Sequence, residues 1–224
     1  MIKCMLKINK NKVLVQIGTY NGCNKDDGFV EIIKQSSPSK VILVEPNAEL
    51  NDLIWKNYEA IDNIFLENVA IVKEENKGVV QLVYPKNNSG GVSANGIHYG
   101  EHNFSLVPMD DWGNDLEVLE TPSITFNELC EKYELTNIHY LQIDTEGYDA
   151  EIIRSIDFDK VNIDIIKYEY WPFDEKCFER HGEDAKLYGV SGMKAVEVLL
   201  TSLGYDVTKD GQNDMIAVKN NYHE

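Results

Sequence analysis

No apolar run in this sequence approaches the ~18 residues that a membrane-spanning helix requires. The opening, "MIKCMLKINKNKVLV", breaks its apolar residues with lysine and asparagine, so no secretory signal is read there. Cysteine is sparse. The four, Cys4, Cys23, Cys130 and Cys177, form no C-x-x-C pair. That spacing suggests neither a zinc site nor a disulfide framework, and it fits free thiols in a reducing cytosol, so a cytoplasmic location is expected. Basic residues are also few: 21 Lys and Arg face 38 Asp and Glu, for a formal charge of −17. Contact with a nucleic-acid backbone depends on Lys and Arg and is not expected; a neutral or cationic small ligand is. Internal repeats and linker-like stretches are missing too. The 224 residues are therefore expected to form a single domain, 1–224.

What the sequence does contain is an alternation of short β-rich and helical runs. "KVLVQI", "KVILVE" and "NIFLENVAI" read as three buried strands. Helical stretches separate them, one with Phe29, Ile32 and Ile33 and one with Leu50, Leu53 and Ile54 at helical spacing. This order predicts βαβ units and an α/β fold with a mostly parallel sheet. "GVVQLVYP" adds a strand. Residues 87–120, rich in Gly, Ser, Asn and Asp, read as an insertion or a substrate-facing loop. "SITFNELCEKY" is a helix with Thr125 as N-cap and Glu128 three residues on. "IHYLQI" and "NIDIIKYEYW" are a fourth and fifth strand flanking the helix "DAEIIRSI". The amphipathic "SGMKAVEVLLTSLG" is capped by Gly204, and "YDVT" with "DMIAVKN" predicts a closing antiparallel hairpin.

Polar and acidic residues gather where strands run into helices, and open α/β sheets bind ligands at the carboxyl ends of their strands. The first strand ends in "QIGTYNG": Gln16, Gly18, Thr19, Tyr20, Asn21 and Gly22. Tyr20 stands where a dinucleotide fingerprint needs its second glycine, which counts against a nicotinamide oxidoreductase. The second strand ends in Glu45 and Pro46, about 20 residues beyond the glycine turn, where an acid can accept ribose hydroxyls. The third runs into Asn68 and Val69, where Asn68 could meet an adenine edge. The fourth delivers Asp144 and, two residues on, Glu146; Asp149 reads as an ordinary first-turn helix acid. The fifth delivers Glu169, with Trp171 expected on the same face and Tyr168 and Tyr170 on the other. Asp144 and Glu169 are expected to share one function, the alternative for Asp144 being a cap of the helix that follows. His98, His102 and His181 also titrate in reach of neutral pH, and their alternative is solvated surface.

These residues also carry a resemblance. "IDTEGYDAEII" resembles the I-D-x-E-G-x-E signature of FkbM-like methyltransferases, a branch of the class I S-adenosylmethionine-dependent enzymes. "VEPNAEL", "ENVAI" and "LGYDVTKDGQNDMIAVK" resemble that family's E-P-N-P, N-V-A and closing G-Y-x-V … D-x-x-A-V elements. Gln16 departs from the family's aspartate, and "QIGTYNG" from its D-x-G-A-x-x-G turn. The resemblance implies a Rossmann-like domain and S-adenosylmethionine as cofactor, with its methionyl part at Gln16 to Gly22, its ribose at Glu45 and Pro46, its adenine near Asn68 and Val69, and Asp144 facing it. It implies O-methylation of a sugar, a glycan or a small metabolite, with Asp144, Glu169 and Glu146 as catalytic residues. Glu146 could orient the acceptor, or the acids could hold a divalent metal. The alternative is a non-catalytic nucleoside-binding module that keeps the fold.

Overall fold

The structure is a computed structural model and describes residues 11–22, 28–85, 116–145, 148–169, 190–211 and 214–222. Its strands are β1 (Val13–Ile17), β2 (Lys40–Val44), β3 (Ile64–Glu67), β4 (Ala70–Ile71), β5 (Gly78–Pro85), β6 (Leu116–Ile124), β7 (Asn137–Ile138), β8 (Tyr140–Ile143), β9 (Asn162–Ile163), β10 (Ile165–Glu169), β11 (Tyr205–Asp210) and β12 (Asp214–Lys219). Its α-helices are α1 (Phe29–Ser36), α2 (Asn51–Tyr58), α3 (Phe126–Lys132), α4 (Asp149–Ser155) and α5 (Val190–Ser202).

Seven strands form the main sheet in the order β11-β12-β10-β8-β1-β2-β3. From β3 across to β10 every pairing is parallel, and β12 runs antiparallel to both β10 and β11. This is the α/β, Rossmann-like, mostly parallel sheet with a closing antiparallel hairpin that the sequence predicts. Alternate residues of each strand face opposite sides. Val15, Ile17, Ile42, Val44, Leu141 and Ile143 pack under α3, α4 and α5, against Phe126, Leu129, Ile152, Ile153, Val196 and Leu200. Leu14, Val41, Leu43 and Tyr140 pack on the other side, against Phe29, Ile32 and Ile33 of α1 and Ile54 and Tyr58 of α2. Burial on both faces explains why these strands are almost continuously apolar rather than alternating.

Two segments differ from the sequence expectation. The third strand, read as one run, is two: β3 ends the main sheet, and β4 leaves it to pair with β6. Second, 116–120, counted with the insertion, begins β6, whose residues Leu116 to Ser123 pair with β5. The rest of the insertion, through residue 115, lies outside the described residues, as do Glu146, Tyr170, Trp171, His98, His102 and His181. Among the described residues no helix is long and apolar enough to cross a membrane.

The chain runs β1, β2, β3 to one side and then returns to the other side of β1 to lay down β8 and β10. The direction of sheet building therefore reverses between β1 and β8. That is where an open sheet leaves a crevice at the carboxyl ends of its strands.

Candidate functional site

The turn after β1 is locked from three directions. Gly18 and Thr19 donate their N–H groups to the Val44 carbonyl of β2 at 3.0 and 3.1 Å, while Asp144 of the β8 tip donates to the Ile17 carbonyl at 2.9 Å. Gly18 has φ +81°, and a Cβ there would lie 1.7 Å from the Asp144 carbonyl oxygen. Gly22 has φ +72°, and a Cβ there would lie 2.4 Å from the Tyr58 ring. Both glycines are therefore steric requirements, one for the approach of β1 to β8 and the other for the approach of the turn to α2. Asn57 of α2 adds a hydrogen bond to the Asn21 carbonyl at 2.7 Å. Thr19 is buried, and its hydroxyl has no hydrogen-bond partner among the described residues.

Glu45 follows β2 and is only 4% exposed. Its two carboxylate oxygens accept from Tyr20 N at 2.7 Å and Asn47 N at 2.9 Å. Tyr20 itself takes a left-handed φ of +51°, which presents that N–H to Glu45. Burial pushes the Glu45 carboxyl up from 4.5 to about 7, more than the two amides pull it down. A carboxylate has roughly four lone-pair sites, so these two bonds leave acceptor capacity for hydroxyls or a cation. Asn68 sits beside it with its side chain engaged, donating to the Glu45 carbonyl and exchanging hydrogen bonds with Asn51, all at 2.9 Å. The Asn68 amide thus ties the segment after β3 to the Glu45 backbone and to α2.

Gln16 lies beneath the turn with no exposed surface, and its Oε1 accepts from the Tyr58 hydroxyl at 3.4 Å. In register with it across the sheet are Gln142 and Lys167, both buried. The Lys167 ammonium in that layer is held by Asp214 at 2.8 Å.

The β8 and β10 tips carry Asp144 and Glu169, both part-exposed. Because β8 pairs with β10, with Ile143 opposite Tyr168, the two acids follow matched positions on adjacent strands. Tyr168 is buried in the core, so its ring is packing rather than a ligand platform. Asp149 departs most from its reading as a first-turn acid. It is fully buried and accepts from Thr145 N at 3.1 Å, Thr145 Oγ1 at 2.5 Å and Glu169 N at 3.0 Å. Sequence reasoning missed this role. The one available signal was its position at the final acid of the I-D-x-E-G-x-E signature. Among the described residues no three His, Cys, Asp or Glu side chains cluster as a metal site.

The arrangement is thus a glycine turn, a buried acid after the next strand, and two acids on the neighbouring strand tips. The family model of the methyltransferase FkbM domain matches residues 16–207, a span that includes all of these features. The chain belongs to the FkbM methyltransferase family. Methyl transfer is the chemistry that this membership supports. No curated protein matches the sequence of this FkbM-family chain. Similar solved structures include the precorrin-6y C5,15-methyltransferase of Geobacter metallireducens GS-15, at 12% identity over 97% of this chain and 86% of that one, with a TM-score of 0.46. Another is methyltransferase FkbM from Methylobacillus flagellatus KT, at 11% identity over 96% of this chain and 45% of that one, with a TM-score of 0.48. A third is Aeropyrum pernix fibrillarin with natively bound S-adenosyl-L-methionine, at 11% identity over 96% of this chain and 68% of that one, with a TM-score of 0.43.

Proposed function

We propose that this chain is an S-adenosylmethionine-dependent O-methyltransferase acting on a hydroxyl of a sugar, a glycan or a small metabolite. The observation that carries the reading is the adjacency of four strand tips. Those of β2, β1, β8 and β10 lie side by side and bring Glu45, the Gly18–Gly22 turn, Asp144 and Glu169 to one edge of the sheet.

These residues fit the cofactor chemically. The Thr19 hydroxyl, which has no hydrogen-bond partner among the described residues, offers the glycine turn a donor for a carboxylate end, and Glu45 suits a ribose diol. Pro46 and the backbone of Asn68 and Val69 border the place for a base. Gln16, closed beneath the turn, acts as its floor. When bound, S-adenosylmethionine supplies an electrophilic methyl on a sulfonium cation, and the acidic edge complements that charge. Asp144 takes the proton of the acceptor hydroxyl onto its carboxylate as the oxygen becomes nucleophilic, and Glu169 is the second base in reach of the same edge. Glu146 is placed two residues after Asp144 and is assigned to acceptor orientation. A positioned general base contributes about 10²–10⁴ in rate. Alignment of acceptor and donor in the crevice contributes on the order of 7 kcal/mol.

Calorimetry with S-adenosylmethionine and S-adenosylhomocysteine tests the cofactor. Saturable binding is expected, weakened by Glu45→Ala; absence of heat for both ligands overturns the proposal. Methyl-tritiated cofactor, incubated with hydroxyl-bearing glycans, tests the chemistry. Label should be recovered as a base-stable ether, and Asp144→Asn should reduce its formation at least tenfold, in line with loss of a general base. Base-labile label would mean that a carboxyl, not a hydroxyl, is the acceptor.

A further inference from the structure

Asp149 opens α4, and its side chain has no exposed surface. A first-turn acid ordinarily meets its helix dipole from the solvent side. This one spans two elements. One oxygen, Oδ2, accepts from the backbone N–H and the hydroxyl of Thr145, at 3.1 and 2.5 Å. The other, Oδ1, accepts from the backbone N–H of Glu169 at 3.0 Å. Thr145 follows Asp144 directly, and Glu169 ends β10. A single carboxylate therefore ties together the two segments that carry the candidate bases.

Burying a carboxylate is costly unless donors meet its lone pairs. The Thr145 amide and hydroxyl and the Glu169 amide do so here, joined by the backbone N–H of Asp149 itself, and none of these donors is a cation. The Tyr168 hydroxyl of β10 lies in the field of Asp149 and of Glu197 of α5 and has no hydrogen-bond partner among the described residues. Burial raises the proton affinity of the Asp149 carboxyl.

We propose that Asp149 is the positioning residue of the site, a clamp that holds the β8 and β10 tips together so that Asp144 and Glu169 keep a fixed separation over the crevice. The clamp stands on the hydrogen bonds alone; its consequence for the sulfonium rests on the methyltransferase reading.

The test uses the full chain and Asp149→Asn, whose amide replaces one acceptor with a donor facing groups that are themselves donors. Hydrogen exchange at the Thr145 amide, the Glu169 amide or both should speed up by about tenfold or more, the loss of roughly one hydrogen bond. Amides of Val15 in β1 and Leu43 in β2 should keep their rates. Equal acceleration at all four amides, or at none, overturns the clamp, the former because it reports general loosening. Wild-type protein gives a second measurement that needs no variant: on a pH titration the Thr145 and Glu169 amide resonances should move with one shared midpoint, and two distinct midpoints overturn the proposal.

Calorimetry then reads the consequence. The preference for S-adenosylmethionine over S-adenosylhomocysteine should fall about threefold or more in Asp149→Asn, because the acids no longer face the sulfonium together. Affinity for S-adenosylhomocysteine should stay within about twofold. An unchanged preference overturns the positioning role. If the wild-type chain binds neither ligand, the methyltransferase reading fails while the exchange rates still decide the clamp.

Discussion

Single atoms decide much of this site. At Gly18 a methyl group would sit 1.7 Å from the Asp144 carbonyl oxygen on a backbone with φ +81°. Gly18→Ala must part β1 from β8 or break their hydrogen bonds, so urea unfolding should show a loss of about 3 kcal/mol or more. Glu45 makes a different kind of prediction. Its carboxyl is raised from 4.5 to about 7 by burial. Between those two pH values the folded chain keeps a proton that the unfolded chain has released. The contribution of Glu45 is therefore fully present below the lower value and is lost as pH rises through the upper one. The lost amount is about 3 kcal/mol for this one group. Denaturant titrations at about pH 5 and about pH 8 should show that Glu45→Gln flattens the stability difference by this order. A variant whose pH dependence matches wild type would mean that Glu45 is not buried as an acid. Sequence reading brought Glu45 and both glycines to the site but did not supply their reasons. The atoms that crowd Gly18 and Gly22 belong to Asp144 and Tyr58, far along the chain, and spacing alone does not bring them near.

Whole elements were more legible than their junctions. The parallel strands stood out because burial on both faces leaves an apolar run, and α3 because its capping box is a local pattern. Thr125 accepts from Glu128 N at 3.1 Å while the Glu128 carboxylate accepts from Thr125 N at 2.9 Å. Thr125→Ala should cost about 1 kcal/mol in chemical denaturation. Cofactor affinity should be unaffected, since α3 packs on the sheet face away from the glycine turn. β6 was hidden because Glu117, Glu120, Thr121 and Pro122 dilute its apolar character, and a proline argues against a strand. The break after β3 was hidden because strand propensity continues across Asn68 while the partner strand changes. Asp149 was misread for a related reason. Its type and position fit a helix start, and only the arrival of β10 beside β8 gives its carboxylate a second segment to hold.

On the scale of the whole molecule, the formal charge of −17 is the property that bears on ligand choice. Such an excess repels anions and concentrates cations near an acidic crevice. S-adenosylmethionine and S-adenosylhomocysteine differ by one methyl and one positive charge, so they form a natural pair for separating field from contact. Salt acts on the field. Raising ionic strength from about 0.01 M to about 0.15 M shortens the screening length from roughly 30 Å to roughly 8 Å. Distant carboxylates are silenced over that range, while groups touching the ligand keep most of their effect. Affinity for S-adenosylmethionine should therefore weaken by a few-fold across this range, and affinity for neutral S-adenosylhomocysteine should hold within about twofold. If both weaken together, the general acidity of the chain is a matter of solubility, and the preference for a cation belongs to Glu45, Asp144 and Glu169 at close range.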